Sequence, residues 1–99
     1  MAKYHLTNKA ISDLLNIWDY TVETWSKGQA EKYYNQLIAT CKQIAENPEI
    51  GKEYYEVKTE LLGLKTGRHI IFYETIDKNE VKIIRILHER MDLENRIGE

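Results

Sequence analysis

Ninety-nine residues, 42% hydrophobic and 30% charged, suit one folded domain spanning 1–99, because so short a chain buries only about two-thirds of its unfolded surface and does not divide that into two cores. The stock of Ile, Leu and Tyr excludes a disordered chain, and a formal charge of −2 gives no global positive field to draw it onto phosphate. A single cysteine excludes an intramolecular disulfide, and no apolar run nears the roughly 20 residues needed to cross a bilayer, so a reducing, cytoplasmic setting is expected.

Residues 3–7, KYHLT, alternate Tyr4 and Leu6 with polar neighbours, the period of a short strand with one buried face. Thr7 then offers a helix cap, and Ile11, Leu14, Leu15, Trp18, Val22 and Trp25 recur at offsets of three and four, a broad stripe along a helix of about 18 residues. Ser26 with Gln29 three places on resembles a capping box, and Gly28 relaxes the turn into a second helix. The second stripe, from Ala30 through Tyr33, Tyr34, Leu37, Ile38 and Cys41 to Ile44 and Ala45, stops at Asn47, which Pro48 bars from helical geometry. Cys41 reads there as a small core residue rather than a reactive thiol. Two amphipathic helices joined by a few residues predict an antiparallel hairpin.

Residues 48–60 predict irregular structure, with Gly51 as a turn and Tyr54, Tyr55 and Val57 as anchors onto the core. Residues 61–66, 69–76 and 81–88 then read as three strands of an antiparallel meander, turned at Gly67 and at DKNE. An even-length loop centred on Lys78 and Asn79 sets Phe72 opposite Arg85 and His69 opposite His88; an odd one abolishes both pairs. MDLENRIGE is short and polar, enough for one frayed helical turn. The order is β-α-α-β-β-β, an α+β fold with the α-hairpin on one face of a small, mainly antiparallel sheet. Ile83, Ile84, Ile86 and Leu87 put apolar groups on both faces, so something other than the helices is expected to cover the second face.

The chemistry-bearing residues gather at strand ends, in GRHIIFY (67–73) and RILHERMD (85–92). Arg85 interrupts an apolar strand where an unpaired charge is expensive, so it needs either Glu74 or Asp92 within the fold or an acidic group on a partner. His88 reads first as a strand-end residue donating to a backbone carbonyl, and Arg90 with Asp92 as a solvated pair worth less than about 1 kcal/mol. His69 and His88 supply two ligands, too few for a metal site without Cys or carboxylate at ligand spacing, so no metal or cofactor is expected. Trp18, Trp25, Tyr33 and Tyr34 read as packing residues, although an exposed Trp25 would serve instead as a binding anchor. Arg68, His69, Arg85, His88, Arg90 and Trp25 are therefore candidates for contact with a partner or target, with no catalytic residue among them.

The segments YHLTNKAISDLLNIWDYTVETWSKGQAEKYYNQL, NPEIGKE, GRHIIFYE and VKIIRILHERMD, in this order from Tyr4 to Asp92, resemble the ParE-type toxins, a branch of the RelE/ParE superfamily of bacterial toxin–antitoxin pairs. The resemblance implies a RelE/ParE-like fold and a toxin that poisons DNA gyrase. It implies neutralisation by a ParD-like antitoxin whose C-terminal segment wraps the toxin in a hetero-oligomer and so covers that second face, with no membrane and no sequence-specific nucleic-acid contact. The chain departs from the family's habit of an Arg in the strand before the Gly-Arg-His turn, carrying Leu62, Leu64 and Lys65 there. RelE-type relatives cut ribosome-bound mRNA, for which His88 with Arg68, Arg85 and Arg90 is the one available constellation. Ile70 and Ile71 stand where such nucleases carry a base, however, and Glu89 beside His88 repels phosphate. Gyrase inhibition is the leading expectation, with a ribosome-dependent endoribonuclease or a non-toxic binding module as alternatives.

Overall fold

Thr7 starts the first helix by two bonds at once. In the computed structural model, which describes residues 2–91 and 93–97, its hydroxyl accepts the Ala10 N–H (3.0 Å) and donates to the Ile84 carbonyl (2.8 Å). Such a cap is worth ~1 kcal/mol, and here it also pins the helix start to the sheet. Strand β1 (Lys3–Leu6) thus runs into α1 (Asn8–Thr24). The Ser26 hydroxyl accepts the Gln29 N–H (3.1 Å) and opens α2 (Lys27–Glu46), which ends at Asn47 as the Asn-Pro pair predicts. A 3-10 turn (Pro48–Ile50) and the two-residue strand β2 (Lys52–Glu53) follow, then β3 (Leu62–Thr66), β4 (His69–Asp77), β5 (Glu80–His88) and α3 (Leu93–Ile97).

The sheet order is β1-β5-β4-β3-β2, with β1 parallel to β5 and every other pair antiparallel. The predicted meander is present, and its first strand begins at Leu62 rather than Leu61. The two-residue loop Lys78–Asn79 delivers the predicted pairs His69–His88 and Phe72–Arg85. It does so by way of two bulges that cancel: Ile84 is extra between Phe72 and Tyr73 of the facing strand, and Ile76 is extra on β4 before Asp77 meets Glu80. The bulge at Ile84 also breaks strict alternation, so Ile83 and Ile86 face the helices while Ile84 and Leu87 face away.

Three expectations are corrected. The broad stripe on α1 does not face the core as a whole: Ala10, Asp13 and Leu14 are its buried residues, and Leu15 and Trp25 remain 62% and 73% exposed. The reason is width, since the sheet accommodates one arc of the helix and the apolar residues spill past it. Residues 48–60 are not wholly irregular, for the buried Tyr73 hydroxyl accepts the Gly51 N–H (2.9 Å) and donates to the Pro48 carbonyl (2.7 Å), holding the 3-10 turn beside β2. Finally, the face of the sheet away from the hairpin is covered by the chain itself. Leu61, Ile70, Phe72 and Leu87 are buried there beneath Tyr54 and Val57 of the preceding loop and Leu93 and Ile97 of α3. Tyr54 meets Phe72 edge-on at 5.1 Å, while Tyr55, also an expected anchor, is about half exposed. Segments too short to show a period in the sequence supply this cover.

Candidate functional site

The β3–β4 turn is shaped by Gly67, whose φ of +58° suits a residue without Cβ; a Cβ there would lie 2.6 Å from the Tyr33 ring. That close approach brings α2 onto the strand ends. The Tyr33 hydroxyl lies 2.7 Å from His69 Nδ1, accepts the Arg68 N–H (3.1 Å) and reaches the Thr66 carbonyl (3.2 Å). Across the ladder His69 and His88 stack edge to face with centroids 5.4 Å apart. Burial, and secondarily the neighbouring His88, push the His69 imidazole down to about 4, so it is neutral near pH 7. Burial likewise raises the Tyr33 phenol.

His88 does not donate to a carbonyl as expected; its Nδ1 accepts the Arg90 N–H (3.2 Å). Glu89, beside it, pairs with Lys65 (2.8 Å), and that bond is the main reason its carboxyl is held below the usual range. Among the described residues Arg85 pairs with Asp13 rather than with Glu74. Glu74 pairs with Lys58 (2.9 Å), and Asp92 lies outside the described residues, as does its expected pairing with Arg90. The guanidinium is instead gripped by Asp13 of α1 through Nε (2.8 Å) and Nη2 (3.0 Å), and its Nη1 donates to the Arg96 carbonyl of α3 (2.7 Å). Asp13 accepts the Ile86 N–H as well (2.9 Å), so one carboxylate ties α1 to β5 by three bonds. Sequence reasoning missed Asp13. The signal was present, because a carboxylate between Ala10, Leu14 and Ile17 on the inner arc of a helix demands a buried cation.

Of the six contact candidates, the structure brings Arg68, His69, Arg85, His88 and Arg90 to one end of the sheet. Trp25 stands apart at the C-terminal cap of α1, exposed. Arg96 joins the first five through its carbonyl, so every arginine of the sequence sits at this end. A groove of about 470 Å³ opens there between α1 and the strand ends, with Ile17, Tyr20, Met91 and His88 among its walls. On the other flank of α1 a second, apolar groove is lined by Leu6, Ile11, Leu14, Leu15, Trp18 and Tyr34, the last two meeting edge-on at 6.2 Å. Among the described residues no group of three or more His, Cys, Asp or Glu side chains converges to hold a metal, and no helix is long and apolar enough to cross a membrane.

The chain as a whole is similar to known proteins. The chain is 34% identical over 98 residues to Toxin ParE1 of Caulobacter vibrioides, covering 99% of this chain and all of that protein. It is 32% identical over 96 residues to Toxin ParE1 of Mycobacterium tuberculosis, covering 97% and 98%. Its fold matches a structure of the chromosomal ParDE TA system from P. aeruginosa with a TM-score of 0.74 at 20% identity, over 89% of this chain and 96% of that one. The family model for the ParE toxin of the type II toxin–antitoxin system parDE matches residues 4–93, and the chain belongs to that family of toxins.

Proposed function

We propose that this toxin inhibits DNA gyrase in the cytoplasm by contact rather than by covalent chemistry, and is kept silent by a ParD-like antitoxin wrapped around its helical hairpin. The observation that carries the reading is the commitment of the basic strand ends. His69 is neutral and stacked, His88 Nδ1 is taken by a backbone N–H, and Arg85 is spent on Asp13. A nuclease needs a poised acid–base group beside cations aimed at phosphate; this end instead supports a rigid platform with Arg68 and Arg90 exposed at its rim. Family membership and the resemblance of the sequence point to gyrase as what the platform meets.

The apolar flank supports the antitoxin half. Ile11, Leu15, Trp18, Val22 and Trp25 follow a four-three spacing along α1, the seam that an amphipathic helix fills. The C-terminal segment of the antitoxin is its proposed occupant. A supercoiling assay with purified gyrase tests the whole: the chain inhibits, antitoxin restores activity, and pulse labelling of induced cells shows DNA synthesis failing before translation. Specific scission of transcripts on purified ribosomes, lost on changing His88, would establish the ribonuclease instead.

A further inference from the structure

We propose that the groove at the arginine end recognises a short acidic segment of the target protein carrying an apolar side chain, and does not bind the DNA on which that target works. The inference rests on the reading of this end as the target surface and adds the chemistry of what it meets. Charge is the first argument. The chain is acidic overall, yet all its arginines lie at one end of a molecule 37 Å long. Fields are screened within ~8 Å at physiological salt, so the distant carboxylates do not cancel the local potential.

Among the described residues, two carboxylates at this end are engaged: Asp13 by Arg85, and Glu89 by Lys65. Among the described residues, Arg68 and Arg90 are exposed and enter no ion pair. They adjoin the groove-lining His69 and Met91 in sequence, and the Glu89 N–H bonds the Arg68 carbonyl (3.0 Å), which holds the two arginines on adjacent turns. Guanidinium groups so placed suit bidentate capture of carboxylates.

The groove's other half decides between protein and DNA. Ile17, Tyr20 and Met91 line it, with Tyr20 at 67% and Met91 at 41% exposure, and a phosphodiester backbone makes no use of such a wall. An apolar side chain does, at ~0.8 kcal/mol per methylene buried. A duplex also carries a charge every ~1.7 Å and would extend beyond the arginine end, where the chain has no further arginine, whereas a short segment stays within the patch.

Fluorescence anisotropy on the purified chain tests this with three probes: a short Asp/Glu-rich peptide with one central Leu, the same peptide with Ser for Leu, and a short DNA duplex. The Leu peptide is expected to bind tightest. Joint Arg68→Ala and Arg90→Ala substitution should weaken it about tenfold, and Met91→Ser should erase its advantage over the Ser peptide, with circular dichroism unchanged. No peptide binding, tighter binding of the duplex, or an unaffected double variant overturns the proposal. Supercoiling separates the two readings: wild-type chain that fails to inhibit gyrase sinks the gyrase assignment alone, while inhibition undiminished in the arginine variant sinks this inference alone.

Discussion

Asp13 and Arg85 show how much one buried pair can organise. Both side chains are only about a tenth exposed, and among the described residues four hydrogen bonds hold them: two mutual, one from the Ile86 N–H to Asp13, and one from Arg85 to the Arg96 carbonyl. Removing one partner strands the other charge. Asp13→Ala or Arg85→Ala is therefore expected to cost ~3–5 kcal/mol in denaturant unfolding, while joint replacement by Leu and Met costs far less. A small loss for the single variants would show that solvent reaches the pair. Gly67 makes a second sharp case. Gly67→Ala must hold an L-residue at φ +58° and displace the Tyr33 ring, so a loss of at least ~1 kcal/mol is expected, with the Tyr33 hydroxyl drawn off His69. His69 sets a pH dependence. Its folded value, about 4, lies below the ordinary 6.5, so the unfolded chain takes up the proton first. Stability from this group is complete above pH 6.5 and is lost as pH falls toward 4. Thermal melts should show a falling Tm over that window, shallower in His69→Asn.

At the scale of elements, α1 presents two apolar arcs, one buried and one exposed. Leu14 is buried against the sheet and Leu15, its neighbour in sequence, is 62% exposed. Leu14→Ala should cost ~2–5 kcal/mol of stability. Leu15→Glu should leave stability within ~0.5 kcal/mol yet weaken antitoxin binding, measured by calorimetry on the purified pair; equal effects on both readouts would refute the division. The sequence could show that α1 was apolar over a wide arc, because period is visible, but not which part of the arc the sheet would take. The same limit explains the cover of the far face. Leu93 and Ile97 lie four apart in a five-residue helix, and Tyr54 and Val57 lie in a loop; neither repeats often enough to reveal a buried side. The meander was legible because three apolar runs were cleanly punctuated by Gly67 and DKNE. The His69–His88 pairing was legible as well, although the two cancelling bulges between its ends and the loop were not. Asp13 went unread because pattern identifies apolar neighbours, and a buried ion pair is seen only once both partners are placed.

The whole molecule joins its beginning to its latest strand. β1 lies parallel against β5, Lys3 opposite Glu80 and Leu6 opposite Ile83, and the caps and carboxylate of α1 find their acceptors and donors at Ile83, Ile84, Arg85 and Ile86. Contacts so distant in sequence slow folding, because chain entropy is surrendered before they form. During synthesis, at roughly 5–20 residues per second, the hairpin is made seconds before β5 exists. Until then it has neither an edge to pair with nor a cation for Asp13. A chain truncated after Lys78 should accordingly be digested readily by protease through β1 and α1, whereas the full chain, which includes β5, is protected. A poison wired in this order completes its fold only after its last strand has been made.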